Sequence, residues 1–247
     1  MGLICGSILG NMEESSRDIS LRKHAYPHRE IARRYKDHFK NRDYRTAVAS
    51  SFLIFVASLG ASLAAGLFSK SHASNPVSDL ILSNVPVFGV DELFVYGTLI
   101  LIVFALVLAF AHPRRIPFTL HSLALFFFIR AGFVCLTHIA PFPGRAATDF
   151  GSTVQKYFFG DDLFFSGHTG APFLLALIFW REWRLRYVFL AWSVYFAAVV
   201  LLGHLHYSID VASAFFITYT IFCLSEWLFP EYRALFFSDD PIDEPAR

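Results

Sequence analysis

Charged and apolar positions are not interspersed along this chain but sorted into blocks. Polar residues crowd the first 46 positions, the last 18 and a few short loops, and long apolar runs lie between them. A helix needs roughly 20 mostly apolar residues to cross a hydrocarbon core of about 30 Å. Six runs approach or meet that length, at 47–68, 93–112, 116–140, 163–180, 187–203 and 209–229. The pattern predicts an all-α fold, an integral membrane bundle of about six transmembrane helices. Together the runs leave no room for a second soluble domain. The expected organisation is a basic cytoplasmic segment at 1–46, a six-helix membrane catalytic domain at 47–229 and an acidic cytoplasmic tail at 230–247.

Composition changes this picture little. The hydrophobic share is 55%, above the roughly 45–50% usual for soluble domains. A net charge of +1, with no basic patch interleaved with aromatics, gives no reason to expect a nucleic-acid partner. Cys5, Cys135 and Cys223 lie too far apart to suggest a disulfide framework or a metal site. No His, Cys, Asp and Glu cluster has ligand spacing, so neither a metal nor a cofactor is expected. The charged stretch before residue 46 argues against a cleavable signal peptide. Gly6 stands where an N-myristoylation motif wants Ser or Thr.

Orientation follows from the positive charges, which accumulate on the cytoplasmic side. With the N-terminus cytoplasmic, 17 of the 21 Lys and Arg fall on that side, in the head, the turns at 114–115 and 181–186, and the tail. Lys70, Arg145 and Lys156 fall on the other, and Arg130 lies inside the third run. The basic head also suits a helix lying on anionic headgroups, with a solvated charged tail as the alternative.

Two groups of residues carry chemistry. Phe164-Phe165-Ser166-Gly167-His168-Thr169 opens the fourth run, and His204-Leu205-His206-Tyr207-Ser208-Ile209-Asp210-Val211 joins the fifth to the sixth. In the orientation above, both reach the same non-cytoplasmic face. Ionisable side chains at membrane depth are costly and rarely idle. His206 and Asp210 are four apart and share a helix face, so the carboxylate can orient the imidazole. That imidazole could attack phosphorus and hold a phosphohistidine, while His168 moves protons to and from the alcohol oxygens. Ser166, Gly167 and nearby backbone N–H groups at a helix N-terminus would meet phosphate oxygens. Arg130 would supply positive charge or, equally, snorkel to the interface or pair with Asp149. Taken singly, each motif also reads as a helix cap or a satisfied polar contact, and His204 as interfacial, like His112, His121 and His138. Their joint occurrence on one face favours catalysis.

The two groups resemble the paired motifs of the sphingomyelin synthase family, within the wider superfamily of type-2 phosphatidic acid phosphatases. That family carries Cys-Gly-Asp-x-x-Phe-Ser-Gly-His-Thr and then His-x-His-Tyr-Thr/Ser-x-Asp-Val; this chain has Gly160 and Asp161 where the family has Cys and Gly before Asp162. Phe128-Ile129-Arg130 followed by Pro141-Phe142-Pro143 is similar to a further family segment, and Asn75-Pro76-Val77-Ser78-Asp79 loosely resembles its first Pro-rich motif. The resemblance implies six helices, an exoplasmic, periplasmic or lumenal site, His206 as nucleophile, Asp210 as its partner and His168 as acid/base. Arg130, Asp162, Ser166, Gly167, His204 and Tyr207 are the expected substrate-binding residues. Simple phosphatases of the superfamily carry Lys-x6-Arg-Pro early, Pro before Ser-Gly-His, and Arg six residues before the nucleophile. Here the first is absent, Phe165 replaces the Pro and Val200 replaces the Arg.

The expected activity is transfer of a phospho-headgroup from a phospholipid to ceramide or diacylglycerol through a phosphohistidine. A lipid phosphate phosphatase or phospholipase C-type hydrolase, with water as acceptor, uses the same residues. A non-catalytic lipid-binding membrane protein is the alternative from another class. Its partners in every case are membrane lipids.

Overall fold

A computed structural model describes residues 27–145 and 163–238. Every regular element among them is helical. Among the described residues, five helices are long and apolar enough to cross a membrane, and a sixth, Gly167–Ile178, is apolar but shorter. The sequence pattern therefore gave the class of fold correctly, and its one substantial correction concerns that sixth helix.

Helix α1 (Pro27–Lys40) is polar and precedes α2 (Arg42–Ser71), which starts five residues before the apolar run. Asn41 makes this start by accepting the Asp43 N–H on its side chain at 2.8 Å. At 30 residues, α2 is about 45 Å long and exceeds the hydrocarbon core. Its buried positions are mostly small, among them Ala47, Ser51, Ser58, Ala65 and Ser69, and its large apolar side chains such as Phe52, Leu53 and Val56 are exposed. In lipid, burying apolar area gains nothing over leaving it in acyl chains, so helices associate where small residues let backbones close in. Ala61 and Ala65 of α2 pack in this way against Ala131, Val134 and Cys135 of α4 (Ile116–Leu136). The Ser51 and Ser58 hydroxyls donate to carbonyls three residues back, leaving no polar atom of theirs unsatisfied in the seam.

Helix α3 (Asp91–Ala111) begins with Asp91 and Glu92, negative charge suited to a helix N-terminus, and buries only Phe94, Gly97, Thr98 and Leu101. A 3-10 turn, Pro113–Arg115, leads into α4. The sequence predicted the third span to residue 140, but α4 stops at Leu136. Pro141 disfavours helical backbone just before it, and the chain from 137 to 143 is non-helical.

The predicted fourth span, 163–180, contains only α5 (Gly167–Ile178), 12 residues or about 18 Å. Leu163–Ser166 reaches it as non-helical backbone, with Phe164 at φ 90°. Irregular backbone at membrane depth is tolerated where protein covers it, and Leu163, Phe165 and Ser166 are all buried. The helix itself is the core of the bundle, with eight of its twelve residues buried. Gly170 makes that possible: a Cβ there would stand 2.8 Å from both Phe126 of α4 and Thr218 of α7. Pro172 has no N–H for the His168 carbonyl four residues back, and Ser193 of α6 donates its hydroxyl to the next carbonyl, Thr169, at 2.8 Å.

Helices α6 (Trp183–Leu202) and α7 (Ser208–Leu228) match the last two predicted spans closely and pack on α5. The short α8 (Pro230–Phe237) folds back so that Phe236 is buried against Phe118 and Phe179.

The bundle has two distinct ends. At one, Tyr44 donates to the Pro113 carbonyl, Arg115 pairs with Glu182, and Arg233 donates to the Ile178 carbonyl. At the other, the 72–90 segment meets the α6–α7 junction, and its Leu82 clusters with Leu163 of the non-helical approach to α5.

Candidate active site

The site is built where the α6–α7 junction meets the start of α5. Helix α6 ends at Leu202, and His204 takes a left-handed conformation, φ 52°, that turns the chain through Leu205 and His206 into α7. Tyr207 caps α7 and Asp210 occupies its first turn, its Oδ2 accepting the Tyr207 N–H at 3.1 Å. The same Oδ2 lies 3.2 Å from His206 Nδ1. A carboxylate that caps the helix and holds the imidazole fixes Nδ1 as the bonded nitrogen and leaves Nε2 for chemistry. His206 and Asp210 are both buried, and Asp210 Oδ1 has no hydrogen-bond partner among the described residues.

Helix α5 is tied to this pair by backbone. The Ser166 N–H donates to the Asp210 carbonyl at 3.0 Å, so the first motif is fastened to the second at Asp210. Ser166 caps α5 with its hydroxyl, which accepts the Thr169 N–H at 3.4 Å. His168 is half-buried between Phe94 of α3, at a ring distance of 4.3 Å, and Phe196 of α6, at 5.7 Å.

Arg130 reaches this start of α5 from α4. Its Nε donates to the Phe165 carbonyl at 3.1 Å, and its side chain covers Gly167, where a Cβ would stand 3.1 Å from Nε. Glycine at 167 therefore lets the guanidinium lie close to the backbone N–H groups that open the helix. The sequence left open a pairing of Arg130 with Asp149. That residue, like Asp162, lies outside the described residues.

The remaining expected residues divide. Tyr207 is 2% exposed and bridges two loops, donating its hydroxyl to the Ala140 carbonyl at 2.8 Å and accepting the Val77 N–H at 3.3 Å. His204 is buried rather than interfacial. Its Nε2 faces the Val85 carbonyl at 3.1 Å and its Nδ1 has no hydrogen-bond partner among the described residues. His121 is also buried, against Phe229 and Tyr232 at the opposite end of the bundle.

Asp79, the last residue of the Pro-rich segment Asn75–Asp79, also reaches the site. Its Oδ1 accepts the N–H groups of Ile81 and Leu82 at 2.9 and 3.0 Å. Its Oδ2 accepts the Ser208 N–H at 2.7 Å and the Ser208 hydroxyl at 2.8 Å. Burial pushes this carboxyl up, but the hydrogen bonds from Leu82, Ser208 and Ile81 outweigh burial and hold it below its ordinary value. An aspartate three residues after a proline in a loop is the only signal in the sequence, and its partner lies 129 residues away.

The fold and this site define a multi-pass membrane protein with a buried histidine–aspartate pair fastened to the N-terminus of a short central helix. Residues 160–227 match the family described as PAP2 superfamily C-terminal. That match supports membership of the PAP2 superfamily and, with it, phosphatase-type chemistry on phosphate esters. It spans α5 to α7 and so contains both motifs. Neither the curated proteins nor the solved structures include a match.

Proposed function

We propose that this protein is a lipid phosphotransferase that moves a phospho-headgroup from a phospholipid to ceramide or diacylglycerol through a phosphohistidine on His206. The observation that carries the reading is the His206–Asp210 pair, 3.2 Å apart and bonded through the Asp210 carbonyl to Ser166 at the start of α5. In the first step His206 Nε2 forms a bond to phosphorus as the bond to the diacylglycerol oxygen breaks. His168 gives that oxygen its proton. In the second, His168 takes the proton of the acceptor hydroxyl, whose oxygen displaces His206 from phosphorus. Asp210 stabilises the positive imidazole in both steps. Arg130 and the N–H groups opening α5 bind the phosphoryl oxygens, with Ser166, Gly167, His204, Tyr207 and Asp162 shaping the substrate site.

Two sequence departures support transfer over simple phosphatase action: Phe165 and Val200 stand where the simple phosphatases carry Pro and Arg. Hydrolysis by the same residues, with water as acceptor, is the second reading, and the PAP2 superfamily match favours it. The site would face the exoplasmic, periplasmic or lumenal side, because the arginine-rich turns at 114–115 and 181–186 lie at the opposite end.

The test uses purified protein in liposomes with a panel of labelled phospholipids, with and without ceramide or diacylglycerol. Mass spectrometry would resolve the products, with His206→Ala alongside. Headgroup on the added acceptor, lost in the variant, is the expected result. Free phospho-headgroup or inorganic phosphate regardless of acceptor would make the protein a hydrolase. No variant-sensitive product from any lipid would overturn both readings.

A further inference from the structure

The 72–90 segment lies between α2 and α3, outside both motifs, yet it grips the α6–α7 junction at four places. Phe88 N–H donates to the Leu202 carbonyl at 2.9 Å, the Val85 carbonyl meets His204 Nε2, and Val77 N–H meets the Tyr207 hydroxyl. The fourth contact differs in kind. Asp79 is 7% exposed and its carboxylate takes four hydrogen bonds, two from its own turn and two from Ser208. The first pair fixes the carboxylate in place and the second anchors the first residue of α7.

From that geometry we infer that Asp79 is a positioning residue for the candidate catalytic pair, acting through Ser208 to set where α7 begins. The physical chain is short. The first backbone N–H groups of a helix have no partner within the helix, and Asp79 supplies one for Ser208. Charge-assisted bonds of this kind are the strong class, and a negative charge at a helix N-terminus is further favoured by the helix dipole. Two residues later in α7 sits Asp210, which orients His206 and bonds Ser166. A shift in the start of α7 therefore moves the nucleophile, its partner and the anchor of α5 together. A misplacement near 1 Å in such a site lowers turnover by about a hundredfold. The Ser208 hydroxyl is the side-chain component of the anchor, and its N–H the backbone component.

The inference rests on the catalytic reading given above, and its test separates the two. The full-length protein in liposomes would be compared with Asp79→Asn, Asp79→Glu, Ser208→Ala, Ser208→Thr and the Asp79→Asn/Ser208→Ala double variant. Amide hydrogen exchange of the peptide covering 205–214 needs no substrate. Asp79→Asn is expected to raise exchange at the start of α7 and to lower kcat by about ten- to a hundredfold, the scale of a small displacement, with KM nearly unchanged. Ser208→Ala should give a smaller loss, Ser208→Thr should restore most of it, and the double variant should be no slower than Asp79→Asn alone, as for two groups in one contact. Asp79→Glu should keep the charge but not the register, and fall between. Unchanged exchange at α7 would overturn the inference, as would raised exchange with wild-type kcat, or additive losses in the double variant. If His206→Ala abolishes turnover while Asp79→Asn does not affect it, the catalytic reading stands and the positioning role falls. If the wild-type protein turns over no lipid, the catalytic reading falls, and with it any role for Asp79 beyond the tether that exchange reports.

Discussion

The two ends of the bundle both carry charged side chains, half-buried at the basic end and buried at the site end, and they satisfy them in different ways. At the basic end the arginines rest on aromatic faces in addition to their ion pairs. The Arg233 guanidinium lies over the rings of Phe118, Phe222, Phe236 and Phe237 at 4.4 to 5.4 Å, pairs with Glu226 and donates to Ile178. Arg115 lies near Phe179 and Phe236 and pairs with Glu182. At the site end the partners are directional: carboxylate oxygens, backbone N–H groups and imidazole nitrogens at 2.7 to 3.2 Å. Cation–π attraction tolerates displacement because a ring face is broad, whereas a hydrogen bond weakens steeply off its line. The basic end is thus built to hold helices together, and the site end to hold atoms in place. Asp210 Oδ1 and His204 Nδ1, at the site end, are buried and have no hydrogen-bond partner among the described residues.

The largest expected effect would break the comparison at the site end. His206→Ala or Asp210→Asn should lower turnover by about a thousandfold or more, as removal of a nucleophile or its partner does, while membrane insertion and thermal unfolding change little. Full activity in either, measured on labelled lipid, would remove the site. Next in size, Gly170→Ala would press a methyl group onto Phe126 and Thr218. The expected cost is about 1–3 kcal/mol, seen as a lower Tm in detergent. Arg233→Met at the basic end should lower Tm by a comparable or smaller amount, losing about 1–2 kcal/mol of aromatic and hydrogen-bond contact, yet leave kcat per folded molecule unchanged. A fall in kcat there would show that the ends are coupled through α5, whose last turn Arg233 holds.

The smallest effect is a pH dependence. Asp79 titrates below its ordinary value in the folded protein, so its contribution to stability is fully present above the unfolded value of about 3.9. That contribution is lost as pH falls through the lower folded value. Thermal unfolding followed from neutral to acidic pH should show this loss in the wild-type protein and a shallower one in Asp79→Asn. An equal slope in both would assign the acid sensitivity to other groups.

Much of this protein was legible in its sequence. Apolar run length is set by membrane thickness, a property of the solvent, so the helical class and five of the spans could be read without tertiary knowledge. The pairing of His206 with Asp210 was also local, although His206 precedes α7 and meets Asp210 across the Tyr207 cap rather than along the helix face that the spacing predicts. Three features were not local. The sequence could not tell that the run at 163–180 holds a 12-residue helix reached by buried irregular backbone, because an apolar run reads the same whether lipid or protein surrounds it. It could not show Arg130 lying over Gly167, or Asp79 holding Ser208, because those contacts join residues 37 and 129 positions apart. Hydropathy and helical spacing record what a segment can do alone. Which carboxylate anchors α7, and which helix the others enclose, depends on directional contacts between distant segments, and only the folded bundle fixes those.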